Sequence, residues 1–335
     1  MTDGVTTKRL SIIIPVYNGA EHLPRCVDSV LSQRGVGTHD LEILLLDDGS
    51  SDSSPDVIRG YERQHPDCVR GLHHPNMGVA ATRNRGIDEA HGTYVMFIDQ
   101  DDWIDRDYCR TFLDAIESGR ADVVYGGYRR PDTTGRILTT TRPGADFYAR
   151  FIVMAAWAKI HSRDFLLGNG VRFFSNKFGE DSVFTVSEIC STDRWHRINY
   201  VGYNWFYNEA SVSNTSQRGL RPDDTDRLLA LLNELSCAAS KQRGSFAVRY
   251  FLLRTIVFYL LFSGRHSRPE DFLHAHKSFF SWYRSECGQL SIRESLGPAG
   301  ETLQARLAIL LMIVVDRLRL TPTFARAFCR PGGAA

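Results

Sequence analysis

The stretch that most constrains the fold is Tyr94 to Trp103, YVMFIDQDDW. Its apolar run, Tyr94 to Ile98, stops abruptly at Asp99-Gln100-Asp101-Asp102. Such a run between polar residues reads as a strand buried on both faces, the kind found in parallel α/β sheets. These sheets bind ligands beyond the carboxyl ends of their strands, which is where the three acids fall. Asp99 and Asp101 are spaced i, i+2, and a bend there could turn both toward one point. Oxygen ligands of that kind suit a hard divalent cation, and one held by only one or two carboxylates keeps positions for a diphosphate. The spacing recurs as Asp105-Arg106-Asp107 and Asp224-Thr225-Asp226, where it reads as solvated helix faces. Taken alone, Asp99 to Asp102 could equally be an acidic turn.

The residues before this strand alternate between the two periods. Leu10 to Val16, Leu41 to Leu46 and Val69 to His73 read as strands. Between them, Glu21 to Gln33 places Leu23, Cys26, Val27, Val30 and Leu31 on one helical face. Ser53-Ser54-Pro55 caps a helix to about Gln64, and Gly78 to Ala90 is a third helix with Gly92 as its stop. Beyond the acids, Ile104 to Ser118 is helical and Ala121 to Tyr128 extended. Regular alternation predicts an α/β fold with a mainly parallel sheet flanked by helices. Every conspicuous acid cluster then shares one edge.

From Phe147 the pattern is mixed. Phe147 to Ala155 reads as helix, Trp157 to Ile160 as strand, and Arg163 to Leu167 as a short helix behind Ser162. Glu180 to Cys190 follows as a helix and Trp195 to Tyr207 as strand. After Arg221 only helices are expected: Asp226 to Ser240, Ser245 to Ser263, Glu270 to Cys287 and Glu301 to Leu320. The apolar runs within Phe246 to Phe262 and Leu307 to Val315 are broken by Arg249 and Arg254, or short of the ~18–20 uncharged residues of a spanning helix. They suit a buried helical subdomain or, with scattered arginines beside an apolar face, peripheral contact with a membrane.

Forty Lys and Arg against 39 Asp and Glu leave a net charge of +1, which gives no electrostatic footprint for nucleic acid. The seven cysteines are scattered, without C-x-x-C spacing, and read as reduced thiols of a cytoplasmic chain. MTDGVTTKRL has no apolar stretch of signal-peptide type. There is no phosphate-loop, H-E-x-x-H or G-x-S-x-G motif.

Four further groups carry candidate chemistry. Asp47 and Asp48 end the second strand; they could accept hydrogen bonds from a base or ribose, or cap the next helix. Tyr17, after Pro15, could cover a flat base or simply pack. Arg83 could bond uracil, ribose or phosphate, or form a surface ion pair. Glu180-Asp181 could complement a helix dipole, or supply a general base that removes a proton from a sugar hydroxyl.

In order, the blocks SIIIPVYNGAEHLPRCVDSVLSQ, EILLLDDGSSDSS, HPNMGVAATRNRGIDEAHGTYVMFIDQDDW, AAWAKIHSRDFL, FGEDSVFTVSE and YNWFYNEASVSNTS resemble the family 2 glycosyltransferases of the GT-A fold over about residues 9 to 216. The resemblance implies a GT-A domain over 1–216, with a Rossmann-like nucleotide-binding half at 1–102 and an acceptor-binding half at 103–216, followed by a helical region at 217–335. It implies a nucleotide-sugar donor, usually a UDP-sugar, surrounded by Pro15, Tyr17, Asp47, Asp48, Arg83, Asp99, Gln100 and Asp101. Asp101, with Asp99, would bind Mn²⁺ or Mg²⁺, and Asp181 would be the base. Asp102, Trp157, Lys159, Glu180, Ser211 and Ser213 would line the donor and acceptor pocket. Ala158 stands where the family often has a polar residue. The expected reaction is an inverting transfer to a saccharide or lipid-linked saccharide hydroxyl in cell-surface polysaccharide or glycolipid assembly. That places the chain in the cytoplasm or peripherally on the inner face of the plasma membrane. The alternative is a non-catalytic nucleotide-sugar-binding relative.

Overall fold

The computed structural model describes residues 8–176, 179–207, 219–242 and 244–330. Strand β1 (Leu10–Val16) is buried at every position and lies between β2 (Leu41–Asp47) and β4 (Tyr94–Phe97). With β3 (Val69–His73) on the outside of β2, these four strands run parallel in the order β3-β2-β1-β4. The unbroken Ile and Leu runs follow from cover on both faces. On one face Ile12, Ile14, Ile43 and Leu45 meet Leu23, Cys26, Val27 and Val30 of α1 (Leu23–Leu31) and Ile58 of α2 (Ser54–Gln64). On the other, Ile13, Leu44 and Leu46 meet Ala80 and Ile87 of α3 (Val79–Glu89).

Past β4 the sheet becomes mixed. β8 (Lys159–Ser162) runs antiparallel to both β4 and β6 (Val123–Pro131). β6 is parallel to β9 (Trp195–Asn204) and antiparallel to β7 (Ile137–Thr141). The two-residue β5 (Trp103–Ile104) pairs with β9. The expected mainly parallel sheet flanked by helices is present, with β8 inserted between its parallel segments. Ile104 therefore belongs to a strand, and helix α4 (Tyr108–Gly119) starts later than its apolar pattern suggests, because the backbone of Trp103 and Ile104 is claimed by β9. Asp105 is likewise no plain solvated helix residue: its carboxylate receives Arg129 of β6 and the Asn204 side-chain amide of β9. Helices α5 (Arg163–Gly168) and α6 (Glu180–Ser191) complete this part, α5 capped by Ser162 as expected.

Gly92 is not the left-handed stop of α3. A Cβ there would sit 2.5 Å from the Ser11 backbone nitrogen, so the residue before the central strand is small because β1 passes against it. Its N–H donates to Ser11 Oγ at 2.8 Å.

The described residues divide into two compact units, and the one just described holds the whole sheet. The other contains Asp146–Ile152, Asn176, Gly179 and the helices that follow β9. These are α7 (Pro222–Ala238), α8 (Phe246–Phe262), α9 (Pro269–Cys287), α10 (Leu303–Arg317) and α11 (Thr321–Phe328). Phe147–Phe151 makes only a 3-10 turn, not the longer expected helix. It belongs to the helical unit because Phe151 packs on Phe251 at 4.9 Å and the Tyr148 hydroxyl donates to Glu301 at 2.8 Å. Asp224 is 5% exposed at the start of α7 and caps it by accepting from the Arg221 N–H, so it too is not a solvated face. The arginines that interrupt the apolar run of α8 are ion-paired, Arg249 with Glu294 and Arg254 with Glu301. With Arg249 and Arg254 still inside it, Phe246–His266 forms a helical stretch of 21 residues whose most apolar window has mean hydropathy 1.6, enough to cross a membrane by length and composition only. It is 56% buried within the fold, as a core helix would also be.

Gly92→Ala should lower stability by about 1–3 kcal/mol, since the clash is with backbone that cannot yield locally. Gly60→Ala, in α2 with open space around it, should raise stability by about 0.5–1 kcal/mol. Equilibrium urea denaturation of the two variants measures both, and a harmless Gly92→Ala would contradict the packing argument.

Candidate active site

After β4 the chain turns at once, the Asp102 N–H donating to the Asp99 carbonyl at 3.0 Å, and the turn sends its acids in different directions. Asp102 points inward and is fully buried. It accepts from the Tyr203 hydroxyl at 2.5 Å and from the Phe206 N–H at 2.8 Å. Burial, with Asp99 and Asp101 beside it, pushes its pKa well up. The structure thus makes Asp102 an anchor between the turn and the end of β9, not a residue open to a pocket.

Asp99 and Asp101 stay partly accessible. Asp99 accepts from Arg83 Nη2 at 2.6 Å, and the same guanidinium donates through Nη1 to Asp181, also at 2.6 Å. Arg83 comes from α3, Asp99 from the end of β4 and Asp181 from the first turn of α6. The Arg83 side chain is only 5% exposed, while those of Asp99 and Asp181 are 28% and 24% exposed. Burial opposes the charge of Arg83, but Asp181, Asp99 and Glu180 outweigh it and hold its pKa above the ordinary value. Asp181 shows the converse: burial is the largest influence, Arg83 resists it, Glu180 and Asp99 add to it, and the carboxyl is pushed up to about 7. Burial first, then Asp99, also raises Asp101, with His22 and Arg25 opposing.

The first two strands end in loops that are laced together. Gln100 Oε1 accepts from the Tyr17 N–H at 2.9 Å and its Nε2 donates to the Tyr17 carbonyl at 3.0 Å. Asn18 Oδ1 accepts from the Ser51 N–H, and the Gly19 N–H donates to Ser54 Oγ. With its backbone clamped, Tyr17 is 50% exposed, so it does not simply pack. Pro15 is buried within β1 opposite Leu46. Asp47 and Asp48 are each 4% exposed. Asp47 accepts from the Ser50 N–H at 3.0 Å and lies 3.2 Å from His73 Nδ1. Asp48 accepts from the N–H groups of Met77 and Gly78 at 2.7 and 3.0 Å, fixing the loop that leads into α3 and Arg83. Gly78 has φ of 85°, a conformation glycine adopts without strain.

Trp157 and Lys159 sit inside. Trp157 stacks on Tyr203 at 4.7 Å and is 7% exposed. Lys159 is 1% exposed, donates to Thr185 Oγ1 at 2.8 Å and lies 3.5 Å from Glu188. Between them Ala158 holds a positive φ of 58°, a strained conformation for a residue with a side chain. Glu180 is half-buried beside Asp181. Ser211 and Ser213 lie outside the described residues. Arg25 was invisible to motif reading: it donates to the Asp101 carbonyl at 2.7 Å and lies over Trp103 and Phe206 at 4.0 and 4.3 Å. An arginine on the helix after β1 was the one available signal. Tyr203, which touches both Asp99 and Asp102, carried none.

Among the described residues, no three or more His, Cys, Asp or Glu side chains are grouped as a metal site. Asp99 and Asp101 still fit a Mg²⁺ or Mn²⁺ ion of the kind that takes one or two carboxylates and completes its shell with phosphate and water. Burial and the neighbouring Asp99 both raise the pKa of Asp101, and a cation between the two carboxylates would offset that repulsion.

A half-parallel sheet with acids at its carboxyl edge and a mixed second half is the GT-A type of α/β architecture. The model of glycosyl transferase family 2 matches residues 11–177, about half the chain, and the chain belongs to that family. The uncharacterized glycosyltransferase YibD of Escherichia coli is 28% identical over 230 residues, covering 64% of this chain and 66% of that protein. A poly(ribitol-phosphate) beta-glucosyltransferase of Bacillus spizizenii is 30% identical over 185 residues, covering 53% of this chain and 29% of its own length. The chain thus spans less than two-thirds of these curated relatives. In fold it is similar to S. aureus TarS 1-349, solved in complex with UDP-GlcNAc, with a TM-score of 0.69 at 18% identity over 96% of this chain and 92% of that one. The family match ends before Asp181, which Arg83 joins to Asp99 in the structure.

Because the folded pKa of Asp181 is raised, this group's contribution to stability is present below its unfolded pKa of about 4 and is lost as pH rises toward 7. Asp181→Asn has no such loss. The stability of the variant relative to the parent should therefore climb between pH 4 and 7, as read from denaturation midpoints across that range; a flat difference would mean the carboxyl is not perturbed.

Proposed function

We propose that the chain transfers a sugar, with inversion, from a nucleotide-sugar to an acceptor hydroxyl, and that the Arg83 bridge between Asp99 and Asp181 carries this reading. The bridge puts a carboxyl of pKa about 7 next to the acids at the carboxyl end of the central strand. A base with a pKa near neutrality is well matched to taking a proton from a hydroxyl as it attacks. Asp181 takes that proton, and Arg83 holds its carboxylate in place. Burial first, then Glu180 and Asp99, keep its proton affinity high.

Tyr17, clamped by Gln100 and open to solvent, offers a face for a flat base. The TarS complex with UDP-GlcNAc supports a UDP-sugar donor. Asp47 and Asp48 shape the nucleotide pocket mainly through the loops that they hold. Asp101 and Asp99 would hold Mn²⁺ or Mg²⁺, which when bound neutralises charge on the departing diphosphate. The acceptor is a saccharide or lipid-linked saccharide of the cell surface, a reading supported by the poly(ribitol-phosphate) glucosyltransferase among the relatives. Residues 1–216 would act as the transferase domain and 217–335 as a helical extension.

Asp181→Asn should lower turnover by at least about a hundredfold, the scale of general-base catalysis, while leaving UDP affinity within about twofold. Asp101→Ala should weaken UDP binding in Mn²⁺ and make it insensitive to added chelator. UDP release with a panel of acceptors and calorimetric UDP titration separate the two effects. Normal turnover by Asp181→Asn removes the base assignment. UDP-sugar binding with no release on any acceptor favours a non-catalytic binding relative.

A further inference from the structure

Within the helical unit, α10 has two unlike faces. Ile309, Met312, Ile313 and Val315 are buried, while Leu303, Leu307, Leu311, Val314 and Leu318 are between 37% and 71% exposed. At ~100° per residue these five fall within an arc of about 80° along the whole helix. On α8, Phe258 and Phe262 are 46% and 55% exposed, with their rings stacked at 5.2 Å. They line a groove of about 390 Å³ against Ala305 and Ala308 of α10. Single exposed apolar residues are ordinary, but five in a row along one helix, with an exposed phenylalanine pair on the helix packed against it, mark a contact surface.

Charge indicates what the surface meets. From Phe246 to Arg330 there are twelve Lys and Arg against six Asp and Glu, whereas the whole chain has 40 against 39. The positive surplus is concentrated in this segment and the rest is net acidic. On the helical wheel Arg306 and Arg317 run along one border of the apolar arc, and exposed Arg319 and Arg326 follow it. Leucines in a row with arginines at the border are the pattern of a helix lying in the headgroup region of an anionic bilayer. Arg306 and Arg317 each donate one N–H to a carbonyl, of Pro298 and Leu290, so it is the exposed heads of Arg319 and Arg326 that can reach lipid phosphate while their stems lie along the apolar face.

We infer that this face of α8 and α10 docks on the anionic surface of a lipid bilayer. The spacing of the α10 row would also suit pairing with a second copy. Two features favour lipid: the phenylalanines of α8 lie outside the narrow seam such a pair uses, and a like-charged arginine surplus on both copies would repel.

Co-sedimentation of the full chain with vesicles tests this. Binding should be at least about tenfold tighter to phosphatidylcholine vesicles containing one-third phosphatidylglycerol than to pure phosphatidylcholine, and should weaken in high salt. Leu307→Glu with Leu311→Glu, at exposed positions that the fold does not need, should lower it about tenfold and keep the same melting temperature. Arg319→Ala with Arg326→Ala should reduce only the preference for anionic lipid. UDP titration of each variant should be unchanged, which separates this surface from the proposed reaction. Failure of the parent to pellet with either vesicle overturns the inference, as does full binding by the glutamate variant. A two-copy complex in sedimentation velocity that those glutamates dissolve, without vesicle binding, would assign the face to self-association instead.

Discussion

The sheet unit depends on one buried cation. Arg83 donates to Asp99 and to Asp181 from a position almost closed to water. An unpaired guanidinium in that place would be strongly destabilising, and so would either carboxylate without it. The three groups therefore hold α3, the turn after β4 and α6 to one another. Burial, with Glu180 and Asp99 adding to it and Arg83 opposing, leaves Asp181 pushed up to about 7.

Around that cation the other acids are sorted by burial. Asp102 is turned into the core and kept there by Tyr203 and Phe206. Asp47 and Asp48 give their oxygens largely to backbone N–H groups, and the loop fixed by Asp48 leads straight into the helix that carries Arg83. Asp99 and Asp101 keep access to solvent. One turn of sequence thus contains an anchor and two available carboxylates, and the difference comes from the partners supplied by β9. Lys159 and Trp157 belong to the supporting layer in the same sense, with Thr185, Glu188 and Tyr203 as their neighbours.

The helical unit solves a different problem. Its long apolar helices are packed on one another only in part, and the arginines that break their apolar runs are neutralised locally by Glu294 and Glu301. The remaining apolar side chains gather on one face of α10 and the edge of α8. Burial inside the unit cannot explain them, and the surplus of positive charge near them gives that face a chemical character that the sheet unit lacks.

Local pattern was enough to read the parallel half of the sheet: β1, β2, β3 and β4 stand where their apolar runs predict, because a doubly covered strand leaves a continuous signal. It was also enough to put Asp99 and Asp101 at a strand's carboxyl end. It could not say that Ile104 joins β9, that Gly92 is small for the sake of Ser11, or that Asp105 binds Arg129 and Asn204, since each depends on a partner distant in the chain. The roles within the acid turn and the raised pKa of Asp181 were decided only in three dimensions. Periodicity reports which side of an element faces inward; burial and charge pairing between positions as far apart as Arg83 and Asp181 exist only after the chain has closed on itself.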